Sequence, residues 1–238
     1  MSQLISLFLT YSLKHPLNNP VSAPVSWMSS LPAVGGLVNV LLHQPCVVED
    51  PFFKGHAQGD AQYVLQCFFK DLASLEAACV SGSVLQGLAN DMADMLGPCE
   101  VSQQIMTVRS YPVPAPSLAA PGAPTTACTY LVAYYGANQP YDRWLSEYIL
   151  HHVPLMQRLP QIRQVEVYTR VDAISELGFA REDAIQRNKV VFDSPDALLA
   201  ALQSPLRAEM RADFLSLPDI GLSHTHQPMQ TDSIFNAV

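Results

Sequence analysis

YDRWLSEYILHHVPLMQRLPQI, residues 141–162, decides how the chain is read. Tyr141, Trp144, Leu145, Tyr148, Ile149 and His152 recur at helical spacing, so one stripe of an amphipathic helix carries aromatic and aliphatic groups and ends on an imidazole. Pro154 lacks an N–H and restrains the residue before it, which predicts that the helix stops close by. The pair Leu159–Pro160 then reads as a turn into a strand. A histidine at such a junction can face a cavity and change protonation near neutral pH.

Working outward, TYLVAYY (129–135) reads as a strand before the helix, and LPQIRQVEVYTRV (159–171) carries the strand after it. VFDSPDALLAALQSP (191–205) supplies a strand end and a second helix, with Asp193 or Ser194 as its cap and Pro195 in its first turn. LSHTHQPMQ (222–230) reads as a short polar last strand. The same order occurs in the first half: LISLFLTYS (4–12), LPAVGGLVNVLLH (31–43), FFKDLASLEAACVSG (68–82) and CEVSQQIMTV (99–108). Laid without a gap, Phe69 falls on Phe192, Leu75 on Leu198, Ala78 on Ala201, Gln104 on Gln227 and Met106 on Met229. The halves read as diverged duplicates, residues 1–110 and 127–238, joined by the proline-rich spacer 111–126.

The expected fold class is therefore α+β: two ferredoxin-like βαββαβ repeats whose antiparallel sheets face one another and enclose an apolar barrel or cleft. The stretch 140–171, with a strand before it and residues 190–205 after it, resembles the EthD-like branch of the dimeric α/β-barrel superfamily. The resemblance covers about the last hundred residues and reaches the first half through the repeat alone. It implies a barrel made within one chain. It also implies a histidine at His152 that serves a ligand pocket, and chemistry of the kind that cofactor-free isomerases, lyases and monooxygenases or haem-handling proteins perform. Fold alone does not choose among these.

Composition narrows the partners. The charged fraction is 14%, the apolar fraction 49%, and the net charge −8 without a block of lysine or arginine, which argues for a large core and against nucleic acid. No run approaches the roughly 20 apolar residues of a membrane span. LISLFLTYSL at the start reads as a strand, with a signal peptide as the lesser alternative. Cys46, Cys67, Cys79, Cys99 and Cys128 form no paired motif, so reduced thiols in a cytoplasmic protein are expected. No cofactor or nucleotide motif is present; the expected partner is a small apolar or aromatic molecule, and a homodimer is compatible with the sequence.

His152, Tyr134 and Tyr130 are the candidate catalytic residues: a part-buried imidazole beside a phenol can move a proton to or from an enol or phenol. Neighbouring helix positions point about 100° apart, so His151 and His152 are not expected in one pocket. His151, Trp144, Tyr148, His224 and His226 are candidate ligand contacts. The strand 129–135 alternates Tyr130, Val132 and Tyr134 against Leu131, Ala133 and Tyr135, and one face should look into the barrel. His224 and His226 share a strand face and, with His152, could make a three-imidazole metal site; an exposed edge strand explains them equally well, and no metal is assigned. The plain alternatives are a helix-end histidine bonded to a carbonyl and tyrosines that are core. In the first half, residues 18–32 carry Pro20 and Pro24 and no histidine pair, so that half reads as a structural partner. His15 and His43 lie elsewhere, and the insert 46–62 reads as a surface loop or a lid.

Overall fold

The computed structural model describes residues 3–52, 61–114, 126–136 and 141–237. Residues 115–125 of the spacer and 53–60 of the insert lie outside the described residues. Eight strands form a closed antiparallel barrel: β1 (Ile5–Leu13), β2 (Leu37–Pro45), β3 (Ala61–Phe69), β4 (Glu100–Tyr111), β5 (Thr126–Tyr135), β6 (Gln164–Arg170), β8 (Gln186–Phe192) and β9 (Ser223–Asn236). A two-residue strand, β7 (Ala180–Arg181), pairs parallel to β4 outside this circuit. Around the barrel the order is β1-β3-β2-β9-β5-β8-β6-β4, and β4 returns to β1. Each half contributes its strands in the order fourth, first, third, second, and the two fourth strands stitch the halves together.

That stitching corrects the expectation of short last strands. β4 pairs with β1 through residues 100–107 and with β6 through 106–111, while β9 pairs with β5 through 223–232 and with β2 through 229–236. Each needs length because it serves two partners in succession. β9 meets β2 only from Met229 onward, so His224 and His226 lie on the stretch of β9 that pairs with β5 alone, as an edge-strand reading expects.

Helices cover the outside of the barrel. Over the first half lie α1 (Val25–Ser30), α2 (Leu72–Ala78) and α3 (Val84–Leu96); over the second lie α4 (Tyr141–Glu147), α5 (Val153–Gln157), α6 (Pro195–Leu202) and α7 (Leu206–Ser216). No described helix is long and apolar enough to cross a membrane. Two apolar clusters follow, one between each helix layer and its strands, with Leu7, Leu9 and Trp27 in the first and Val132, Trp144 and Phe192 in the second. Asp71 and Ser194 cap α2 and α6 through side-chain oxygens that accept from Ser74 and Ala197 backbone N–H groups, so of the two expected caps Ser194 is the one used.

An eight-stranded barrel has an interior that side chains alone can fill. Here the filling is far more polar than the apolar barrel expected. Phe8, Phe68, Met106, Leu131 and Met229 supply apolar bulk. Between them Lys189 Nζ lies 2.8 Å from Glu166, and Glu166 accepts from the Tyr168 hydroxyl. Gln66 donates to Tyr168 and Ser6 at 2.9 and 3.0 Å, and its carbonyl oxygen meets His43 Nε2 at 3.0 Å. His43 Nδ1 meets Thr231 at 2.7 Å, and Thr231 donates to Thr129. This chain crosses from β8 and β6 through β3 and β2 to β9 and β5. It satisfies charges that would be costly alone, since removing one member of such a pair costs about 3–5 kcal/mol.

Candidate functional site

The helix that opened the sequence reading runs on past its proline. Between α4 and α5 the residues Tyr148–His152 form a π-turn, in which the Val153 N–H bonds to Tyr148 O, five residues back. Pro154 then sits in the first turn of α5, where its missing N–H is least costly. The wider turn absorbs the proline that ordinary helical bonding would reject, which corrects the expected stop and keeps His152 within the helix.

His152 is buried against the outer face of β5, β8 and β9, so the cavity it lines lies between sheet and helices and not inside the barrel. The cleft expected between the two sheets is corrected accordingly: the barrel interior is occupied, and the open space is one layer out. Its volume is about 50 Å³, with Met156, Leu159, Phe192, Leu198 and Leu202 forming an apolar wall. Tyr130, Tyr134, Tyr148, Asn188, Arg207 and His226 bring polar atoms to it. A second cavity of about 200 Å³ at residues 16–20, Gln44, Tyr63 and Gln230 is larger but gathers no charged side chain. Chemistry, rather than volume, therefore selects the first.

His152 Nδ1 lies 2.8 Å from Asp213 Oδ2 on α7. Burial pushes the imidazole below its ordinary range; the Asp213 hydrogen bond and charge work in the opposite direction, and Arg207 adds to the lowering. A neutral imidazole that donates Nδ1–H to the carboxylate keeps a lone pair on Nε2, the nitrogen left for a ligand. The Tyr148 ring lies 4.7 Å from the His152 ring, and its hydroxyl is 3.2 Å from that of Tyr134 and 2.5 Å from Asn188 Nδ2, which donates to it. Burial pushes the Tyr134 phenol up to about 12, and Tyr148 rises further for the same reason. Both are therefore neutral hydroxyls at physiological pH.

Tyr130 and Arg207 meet on Asp50, which belongs to the segment after β2. The described part of the insert 46–62 thus reaches across from the first half, instead of lying free as a surface loop.

The other candidates separate. Trp144 is buried against Tyr134, Tyr141 and Tyr148, behind the cavity wall. His151 is exposed and is not among the residues that line the cavity. His226 lines the cavity beside Tyr130, whereas His224 stands behind Phe214, whose ring lies between it and His152 at 5.7 and 6.0 Å. The three imidazoles do not converge, and among the described residues no group of three His, Cys, Asp or Glu side chains could hold a metal ion. His43 belongs to the barrel interior. Sequence reasoning missed Asp213, Arg207, Asp50 and Asn188. The run REDAIQRNKVVF did hold a signal for the last, because its polar residues fall on both faces of a strand.

No family model matches the sequence, and none of the curated proteins matches it. Solved structures do match the fold over nearly the whole of both chains. An anthrone oxidase-like protein aligns with a TM-score of 0.58 at 12% identity, covering 100% of this chain and 96% of its own. A proposed monooxygenase from Fusobacterium nucleatum subsp. nucleatum aligns at 0.56 and 9% identity, covering 99% and 97%. Another from Lactobacillus acidophilus aligns at 0.51 and 8% identity, covering 99% of each chain. The closed α+β barrel is thus shared with monooxygenase-like structures, and identities this low speak for the fold alone.

Proposed function

We propose that the chain binds a small apolar or aromatic molecule in the cavity between the second-half helices and the sheet, and that His152 moves a proton on it. The observation that carries this reading is the buried His152, held by the part-buried Asp213 and lining a cavity of otherwise apolar character. Asp213 fixes the ring and its tautomer, so Nε2 can take a proton from an acidic O–H or C–H and return it elsewhere on the same molecule. Tyr134 and Tyr148, held neutral, can donate a hydrogen bond to the oxygen that gains charge, and Tyr130 orients the ligand. A lyase or isomerase needs no further reactant; a cofactor-independent monooxygenase would also consume dioxygen. The names of the structural neighbours agree with the last.

The proposed ancestry is a fused duplication of a ferredoxin-like, EthD-like unit, with residues 1–110 and 127–238 as the repeats. Its support is register: adding 123 to Leu9, Leu65 and Gln103, which pair side by side, gives Val132, Asn188 and His226, which pair in the same way. The second repeat keeps the histidine of the EthD-like motif and the first does not.

A rival reading is a protein that holds the ligand without turnover. An apolar cavity of roughly 150 Å³ holds one benzene, so at about 50 Å³ the site must open before any ring enters. Haem, the third reading, asks for a far larger opening. Bicyclic phenols and enones followed by absorbance and by deuterium uptake from solvent separate the first two. Wild type should exchange or convert at least one compound, and His152→Gln should be slower by about 100-fold or more with binding nearly unchanged. Equal rates in the two proteins refute proton transfer by His152; binding without turnover in wild type assigns the chain to the rival. A Soret band on haem titration would favour haem.

A further inference from the structure

Two donors on the cavity wall are already holding an acid. The Tyr130 hydroxyl donates to Asp50 Oδ2 at 2.7 Å, and the Arg207 guanidinium donates to the same oxygen at 2.9 Å. The Arg207 and Asp50 side chains are 10% and 5% exposed, so this is a desolvated carboxylate on a desolvated cation. Tyr130 and Arg207 belong to β5 and α7 of the second half, whereas Asp50 comes from the segment that follows β2 in the first.

That segment, residues 46–50, is neither helix nor strand. Cys46 and Val48 pack against the second apolar cluster. The Cys46 N–H bonds to Pro228 O, and Asp50 Oδ1 accepts from the Phe52 N–H at 2.8 Å. The Phe52 ring faces the Arg207 and Arg211 guanidinium groups at 5.6 and 5.1 Å. α7 carries Arg207 and Arg211 together with Glu209 and Asp213, and of its two arginines Arg207 is the one that lines the cavity.

A guanidinium fork and a phenol O–H together match a carboxylate, and Arg is the side chain that reads this geometry. At about 50 Å³ the cavity is too small for a ring as it stands, and Asp50 sits on two of the side chains that line it. We propose that the ligand is an aromatic or alicyclic compound bearing a carboxylate, which takes the place of Asp50 on Tyr130 and Arg207 and lays its ring along the apolar wall beside His152. Asp50 is thus an internal stand-in for the acid group and a competitor of the ligand. A tethered competitor acts at an effective concentration in the millimolar range or above, and it weakens the apparent affinity by the fraction of time it occupies the site. This inference rests on the reading of the cavity as the ligand site and adds the class of ligand.

The test uses 2-naphthoate and its uncharged analogue 2-naphthamide, titrated calorimetrically into the full chain as wild type, Asp50→Ala, Asp50→Asn and Arg207→Gln. Circular dichroism confirms folding, and Asp50→Asn keeps a side chain on Tyr130 if Asp50→Ala is too unstable. Removing the internal acid should tighten 2-naphthoate by about tenfold or more and leave 2-naphthamide within about threefold. Arg207→Gln should abolish the preference for the acid. If both probes tighten equally, Asp50 merely blocks the entrance and recognition of an acid group is overturned, with the cavity reading intact. If neither probe binds any folded variant, both readings fall together.

Discussion

The two helix–sheet layers rest on strands in the same register, yet one is packed with apolar bulk and the other carries a cavity with polar groups on its wall. In the first half Leu7, Leu9, Leu65 and Cys67 face the helices; at the corresponding places the second half has Tyr130, Val132, Asn188 and Val190. Trp27, Leu31, Leu88, Ala89 and Met92 press onto the first set. Even the polar atoms there are used up, since the Tyr11 hydroxyl donates to Ala89 O and the Trp27 indole to Asp91. In the second half the hydroxyl of Tyr134, which corresponds to Tyr11, turns to Tyr148 and so to the cavity. One backbone plan therefore supports a structural layer and a site, and the difference lies in a few side chains.

The largest effect that would sharpen this contrast is on acid stability, because each half buries one histidine differently. His43, walled into the barrel, is pushed down to about 3 by burial, with the charge of Lys189 adding to the shift. His152 is lowered by burial too, but Asp213 opposes the shift. Both folded values lie below the unfolded value of about 6.5, so on acidification the unfolded chain takes up the proton first. The stability from each is present above about pH 6.5 and is lost as pH falls towards the folded value, at about 1.4 kcal/mol per unit. Between pH 7.5 and 4.5, urea denaturation should show wild type losing about 3 kcal/mol more than His43→Gln does, and only a smaller excess over His152→Gln. An acid loss unchanged in His43→Gln would break the distinction.

A smaller and more local comparison uses one substitution in both layers. Ala89→Val adds two methyl groups at a fully buried position of the cluster that also holds Leu85 and Met92, and should destabilise by about 1–3 kcal/mol. Ala201→Val points the same groups into the cavity that Ala201 lines, and should change stability by less than about 1 kcal/mol while weakening binding of any ring. Thermal unfolding of the two variants decides it; equal losses would mean that the second layer is as full as the first.

What could be read from the sequence was local or periodic. The stripe ending at His152, the alternation of Tyr130, Val132 and Tyr134 and the gapless match of the halves each need only spacing, and Tyr130, Val132, Tyr134, Tyr148 and His152 line the space between sheet and helices. Long-range pairings left no such trace. Asp213 reaches His152 across 61 positions and Asp50 reaches Tyr130 across 80. The polar barrel interior was half visible, because Glu166 stands between two valines and Lys189 precedes two more, and such charges are buried only when paired. The π-turn was hidden because propensity sees the proline but not the helix that widens before it.

The finest test asks whether the two halves follow the same local rules away from the cavity. Asp71 and Ser194 stand 123 positions apart and do the same work, each accepting a backbone N–H three residues on, at 2.7 and 3.2 Å. Loss of such a cap costs about 1 kcal/mol. Asp71→Ala and Ser194→Ala should therefore lower stability by similar amounts in urea denaturation, neither touching ligand binding. A cost confined to one of them would show that the layers diverge in their framework as well as in the side chains that face the sheet.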